Sequence, residues 1–406
     1  MNRPSNLGRV ALAAVLALAA CSRAQDAKPG VTLEHATELA QRFLIVDGHI
    51  DVPYRLTDKM EDITVRTPGG DFDVPRARAG GLDAPFMSIY TPASYEKSGG
   101  AKTFADGLID MVEGFAKARP DLFRMAASVA DVRAAAAAGQ IALLMGMENG
   151  TPIEKDLNNL DHFARRGIRY ITLCHSEDNH ICDSSYATTR TWGGLSRFGR
   201  DVVLRMNELG VLIDVSHISD QAFDDVIELT RAPPIASHSS ARAYTPGFER
   251  NLDDARIVRL AQKGGVLMIN FGSTFVAQKS REAGDAMRKE MMEAITAKGL
   301  KAGTAEAKAF ADAWEKAHVP PLATVDDVAD HVMHVVKIAG VDHVGFGSDY
   351  DGVGPTLPIG LEDVSKYPNL IRVLLERGLS EDDVKKISGE NLLRAMAEAE
   401  KVAGKS

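Results

Sequence analysis

The chain has 406 residues, 45% of them hydrophobic and 25% charged, the balance of a soluble globular protein. Its formal net charge of -9, with no run of Lys or Arg, argues against a basic face for nucleic acid and leaves a small molecule as the expected partner. Length alone suggests more than one domain, but a (β/α)8 barrel commonly takes about 250 residues or more as a single unit.

The first residues have the layout of a secretory signal: Arg3 and Arg9 precede an apolar run, Val10 to Ala20, that is too short to span a bilayer. Leu18-Ala19-Ala20-Cys21 looks like a bacterial lipobox. That reading makes residues 1–20 a signal peptide, places a lipid on Cys21 and leaves residues 21–30 as its polar tether. Ser22 gives no inner-membrane retention signal, so the expected location is the cell envelope, on the periplasmic side of the outer membrane, with membrane contact through that lipid alone. A plain cleaved signal with a coincidental Cys is the alternative. Residues 31–406 then form one catalytic barrel domain. Cys174 and Cys182 either pair in an oxidising compartment or remain free thiols.

Leu33, Ala36, Ala40 and Phe43 recur at helical spacing and lead into a short apolar strand, Phe43 to Val46, that runs on to His49 and Asp51. Side chains two apart on extended chain point the same way, so this imidazole and carboxylate can reach one metal ion. Taken alone, the same residues also have turn chemistry. The polar segment after Pro53, with Pro68-Gly69-Gly70 and Pro75, reads as a loop over the strand end.

A strand over 83–90 is followed by helices over 104–118 and 129–138. The run Ile141 to Met147, apolar on both faces as in a helix-covered parallel strand, then delivers Glu148. A strand over 167–173 ends at His175, a strand over 211–215 leads to His217, and the short segment Pro234 to Ser237 leads to His238. Between them lie a polar loop over 176–196, a helix stopped by Gly210, and a helix capped by Ser219.

Another buried strand covers 264–270. The Lys/Glu/Ala-rich stretch over 276–320 reads as a helical insertion above the barrel. Thr324 and Asp327 cap the next helix, on which His331 and His334 are expected as surface or partly packed residues far from the strand ends. A last strand, His343 to Gly347, ends in Ser348-Asp349-Tyr350-Asp351-Gly352, and a capped helix begins at Ser380. This alternation predicts an α/β fold, a (β/α)8 TIM barrel of the metal-dependent hydrolase type with an insertion near residues 276–320. An open doubly wound sheet would not gather ligands from its first and last strands around one point.

Asp47-Gly-His-Ile-Asp-Val-Pro53, Gly146-Met-Glu-Asn-Gly150, Asp214-Val-Ser-His217, Ser237-His-Ser-Ser-Ala241, Arg250-Asn251 and Gly345-Phe-Gly-Ser-Asp-Tyr-Asp-Gly352 occur in the order in which they occur in the membrane (renal) dipeptidase family, which the chain resembles from about residue 38 to residue 398. The resemblance implies a zinc-dependent dipeptidase acting on free dipeptides, some with a D-residue at the C-terminal position, and a homodimer. It implies two zinc ions per chain, bridged by Glu148 and a water or hydroxide. His49 and Asp51 would hold one ion, His217 and His238 the other.

By the same resemblance His175 would bind the carbonyl oxygen and Arg250 the terminal carboxylate. Asp349 would meet the substrate's amino end or pass a proton to the leaving nitrogen, while Asp351 supports the turn. The family pattern has a Tyr after Asn270-Phe271 where this chain has Gly272, so that carboxylate contact is missing or supplied by another residue. A related barrel amidohydrolase acting on N-acyl amino acids, lactones or β-lactams is the alternative activity. A barrel kept only as a binding module would be expected to lack some of these ligands.

Overall fold

The computed structural model describes Met1, residues 30–301 and residues 304–405. The expected signal peptide, Cys21 and its tether up to residue 29 lie outside the described residues. Among the described residues no helix is long and apolar enough to cross a membrane.

The strands are β1 (Ile45–Ile50), β2 (Leu82–Tyr90), β3 (Phe123–Met125), β4 (Ile141–Glu148), β5 (Ile168–Thr172), β6 (Leu212–Asp214), β7 (Ile235–Ser239), β8 (Val266–Ile269) and β9 (Val344–Phe346). Every pairing between them is parallel. The short β3 only flanks the start of β4, and β2 pairs with β4 directly, so the other eight of the nine strands close into a barrel. This is the (β/α)8 TIM barrel, with helices around it. Closure puts β1 beside β9 and β2, which brings the first and last motifs of the chain together.

Both faces of the strands are apolar because both are covered. One cluster of buried side chains, among them Val46, Phe86, Leu144, Tyr170, Ile235 and Met268, also contains Leu392, Leu393 and Met396 from the C-terminal helix Asn391–Val402. The other joins Met87, Met145, Ile171, Ile269 and Phe346 to surrounding helices through residues such as Leu39, Val112, Val202, Val226 and Val332. The side chains of successive residues alternate between these clusters: Leu144 belongs to the first, Leu143 and Met145 to the second.

Several boundaries differ from the sequence reading. Strand β1 starts at Ile45 and carries His49 within it, because Phe43 instead closes the helix Leu33–Arg42, its N–H donating to Leu39 O at 2.8 Å. His238 likewise lies inside β7. The expected loop after Pro53 contains the helices Val52–Asp58 and Val74–Gly80, each with its proline in the first turn, where no backbone N–H is needed. Residues 276–320 do form the expected helical insertion, chiefly Gln278–Ala297 and Ala305–Ala317. Lys308 on the second of these pairs with Asp58 at 2.8 Å, tying the insertion to the helix that follows β1.

His331 corrects the expectation of a surface or partly packed residue: it is fully buried. Its Nδ1 accepts from the Ala241 N–H and its Nε2 donates to Val276 O, both at 3.0 Å, so this ring splices the loop after β7 to the start of the insertion. Burial holds its pKa down, from 6.5 to about 4. A depressed His pKa means that stability present above the unfolded value is lost as pH falls toward the folded one. We expect metal-free protein to lose about 2 kcal/mol from this group between pH 7.5 and pH 5. Urea unfolding of wild type and His331→Gln at both pH values reads this out: the variant's pH slope should be shallower by that amount, and equal slopes contradict it.

Candidate metal centre

The residues singled out in the sequence meet at the C-terminal end of the barrel. His49 projects from β1, Glu148 ends β4, and His238 lies in β7; His175, His217 and Asp349 follow β5, β6 and β9. Glu148 is at the centre. Its Oε2 lies 3.3 Å from His49 Nε2, which is itself 3.3 Å from Asp51 Oδ2. Its Oε1 lies 3.3 Å from His175 Nε2, 3.1 Å from His217 Nε2 and 3.4 Å from His238 Nε2. Asp349 Oδ1 is 4.0 Å from His49 Nε2.

Buried polar atoms ordinarily have hydrogen-bond partners. Here His49 Nε2 and Asp51 Oδ1 have none, and the Nε2 atoms of His217 and His238 face each other at 2.9 Å. Two unprotonated ring nitrogens at that separation repel unless a proton or cation lies between or beside them. The donor set therefore fits divalent cations: His49, Glu148 and His238 form one group of converging ligand atoms, Glu148, His175 and His217 another, and His49, Asp51 and Asp349 a third. One carboxylate shared by these groups suits a bridging role.

Groups behind these side chains aim them. Tyr170 hydroxyl lies 2.7 Å from His49 Nδ1, leaving Nε2 to face Glu148. Tyr170 reaches that position across Gly146, where a Cβ would stand 2.0 Å from its Cζ, so only glycine lets the ring pass. Ser237 Oγ contacts His238 Nδ1 at 2.7 Å and donates to Asp214 Oδ2 at 2.6 Å. Asn270 donates to Asp349 Oδ2 at 2.7 Å. Such partners fix ring orientation and tautomer at metal sites. Of these, Asp214 and Ser237 fall inside the sequence motifs; Tyr170 gives no local signal, since its role depends on the barrel's closure.

The backbone is strained around the same point. His217, Asp349 and Asp351 have φ of 69°, 63° and 67°, left-handed values that non-glycine residues rarely adopt. They are held there by neighbours: His217 O accepts from the Ser185 N–H at 2.8 Å, and the Asp349 N–H donates to His49 O at 3.0 Å. Asp351 has the expected supporting part, accepting from the Asp71 N–H at 2.6 Å and pairing with Arg55 Nε at 3.0 Å.

In the metal-free protein the charges oppose one another. Burial pushes Glu148 up, but the His49 and His175 imidazoles outweigh it and hold this carboxyl well below the usual range. Burial, with Arg250 and His175 for one ring and His49 for the other, holds His217 and His238 well below the usual imidazole value, in the neutral form that ligates metals. Burial and the carboxylates of Asp51 and Glu148 push Asp349 up to about 8 against the opposing pull of His49.

A cleft of about 1010 Å³ opens over the cluster, lined by Tyr54, Tyr90, Tyr186 and Phe275 and walled by the insertion. Arg250 lies buried at its floor, Nη1 donating to Ser239 Oγ at 2.5 Å and Nη2 to His238 O at 2.8 Å, while its Nε has no partner. Cys174 and Cys182 are both buried free thiols.

Relatives with the same architecture are known. The probable dipeptidase PvdM from Pseudomonas aeruginosa superposes with a TM-score of 0.80 at 28% identity, over 91% of this chain and 99% of that one. A metallopeptidase from Rhodobacter sphaeroides, liganded with a phosphinate mimic of the dipeptide L-Ala-D-Ala, superposes with a TM-score of 0.72 at 25% identity, over 88% and 99%. The dipeptidase tcpJ of Claviceps purpurea (strain 20.1) is 34% identical over 376 residues, 88% of this chain and 77% of its own length. The family described as membrane dipeptidase (peptidase family M19) matches residues 33–406. With the barrel and its ring of side chains that could hold metal ions, that match places the chain in the membrane dipeptidase family of metallopeptidases.

Proposed function

We propose that the chain hydrolyses free dipeptides, C-terminal D-residues included, with two zinc ions: one held by His49, Asp51 and Glu148, the other by Glu148, His217 and His238. The observation that carries this reading is the division of Glu148, one oxygen toward His49 and the other toward His217 and His238. Bound ions of this kind lower the pKa of a shared water and polarise the scissile carbonyl.

The chain's own groups do the rest. Asp51 and Glu148 cancel only part of the ions' charge, and neutral imidazoles cancel none, so the site keeps a positive excess for the oxygen that becomes negative. His175 donates a hydrogen bond to that oxygen. Arg250 binds the terminal carboxylate, and its unpartnered Nε–H supplies a donor for it. Asp349 meets the substrate's amino end and passes a proton to the leaving nitrogen. The dipeptide mimic bound by the Rhodobacter relative carries a D-residue at its C-terminal position, which supports the same tolerance here. A lipid on Cys21, outside the described residues, would hold this activity at the envelope.

The test compares Ala-Ala, L-Ala-D-Ala, Ala-Ala amide and N-acetyl-Ala as substrates for the zinc-loaded wild type and an Arg250→Met variant. Wild type should cleave the dipeptides and spare the amide, and the variant should lose about 100-fold in kcat/KM on the dipeptides. Cleavage of the amide as fast as the acid contradicts the Arg250 role; cleavage of N-acetyl-Ala alone favours the acyl amino acid alternative.

A further inference from the structure

The wall that the insertion adds to the cleft carries charges of both signs, with Arg281 and Arg288 on its first helix beside Asp285. Arg281 and Arg288 lie seven residues apart on the helix Gln278–Ala297, hence on one face, and both line the same cleft as Arg250, Tyr186 and Phe275. Arg281 Cζ stands 3.8 Å from the centre of the Phe248 ring, and Arg250 Cζ 5.4 Å from that of Phe275. Those two rings are 5.7 Å apart, so the guanidiniums stand on one aromatic pair, Arg250 at the floor and Arg281 nearer the rim.

Tyr186 completes this corner, its ring 6.1 Å from Phe248 and 6.0 Å from His217. Arg250, Arg281 and Arg288 line the cleft together with Tyr186. Asp51, Asp349 and Asp351, on the segments that follow β1 and β9, line the same cleft.

Gly272 is part of the same corner. A side chain there would strike Val353 Cγ1 at 2.8 Å and Phe275 Cδ2 at 3.0 Å, so the wall is closed by Phe275 and leaves the carboxylate side to the insertion. Arg281 is half-engaged, paired with exposed Asp285 at 2.7 Å, and among the described residues Arg288 has no ion-pair partner. A ligand carboxylate can displace Asp285 at small cost, because that carboxylate returns to water.

We infer that Arg281 and Arg288 form a second carboxylate subsite beside Arg250, and that the preferred substrates are dipeptides whose C-terminal residue is aspartate or glutamate. This rests on the dipeptidase reading above. Such a side chain leaves the same Cα as the carboxylate on Arg250, so its own carboxylate falls on the neighbouring guanidiniums, while Asn or Gln offers the same shape without the charge.

The experiment measures kcat/KM for Ala-Asp and Ala-Asn, with Ala-Ala as reference, for zinc-loaded wild type, the Arg281→Met/Arg288→Met double variant and the charge-preserving Arg281→Lys/Arg288→Lys. Wild type should favour Ala-Asp over Ala-Asn by about tenfold or more. That ratio should fall to near one in the Met variant and be largely kept in the Lys variant. A wild-type ratio of one with Ala-Ala still cleaved overturns the subsite and leaves the dipeptidase reading standing. A ratio untouched by the double Met substitution also overturns it. Failure to cleave Ala-Ala as well removes the dipeptidase reading and the subsite with it.

Discussion

Glu148→Gln should lower kcat/KM on dipeptides by at least about 10,000-fold while the barrel stays folded, the largest effect expected of any single substitution here. Glu148 faces both halves of the site, with Oε2 toward His49 and Oε1 toward His175, His217 and His238. Gln keeps the shape but offers one acceptor oxygen and a donor amide, so one half must lose its ligand and neither keeps the charge. Metal content should fall to one ion or fewer per chain. The side chain lies at the mouth of the barrel, beyond the apolar layers, so thermal unfolding should remain cooperative. Steady-state rates with metal analysis on the same samples check this; activity within tenfold of wild type with both ions retained would refute the bridging role.

Gly352→Ala should cost about 100- to 1,000-fold in kcat/KM, the scale on which a displacement near an ångström at a reacting centre is felt. A Cβ on Gly352 would stand 2.2 Å from Asp51 Oδ2 and 2.3 Å from Asp349 Oδ1. Either the carboxylates move or the turn does. The turn is anchored by Asp351, locked to the backbone of Asp71 and to Arg55, so the two short carboxylates give way. One of them is a proposed ligand and the other the proposed proton carrier. The variant should bind zinc more weakly, recover part of its rate at high zinc, and unfold near the wild-type temperature. Full activity at limiting zinc would mean that the turn is softer than its contacts imply.

What the sequence disclosed and what it hid divide along a physical line. Strand ends were legible because a parallel strand covered on both faces is a continuous apolar run, and the first polar residue after it is conspicuous, as Glu148 is after Ile141 to Met147. Where polar residues lie within the pairing, as Asp47 and His49 do in β1 and Ser237 and His238 in β7, the run ends early and the strand looks too short. The three-residue β3 has no periodicity to detect. The helices at Val52–Asp58 and Val74–Gly80 were hidden by prolines that read as loop signals but occupy first-turn positions.

The proposed ligands and Arg250 were carried by the motifs of the family, and the structure gathers them at the C-terminal end of the barrel. The groups that aim them were mostly invisible. Tyr170 meets His49 only because the closed barrel sets them across its interior, and His331 looked like an outer-helix residue until the loop after β7 was seen folding onto it. The insertion was recognised from its composition, yet nothing in a Lys/Glu/Ala-rich stretch distinguishes Arg281 from its neighbours; its place above Phe248 is a tertiary fact.

The proposed activity needs two ions sharing the Glu148 carboxylate. Its most direct test is a titration of metal-free protein with zinc while the hydrolysis of Ala-Ala is followed and bound metal is counted. Activity should rise to a plateau at about two equivalents per chain, with metal-free protein inactive. A plateau at one equivalent, or turnover without metal, would contradict it.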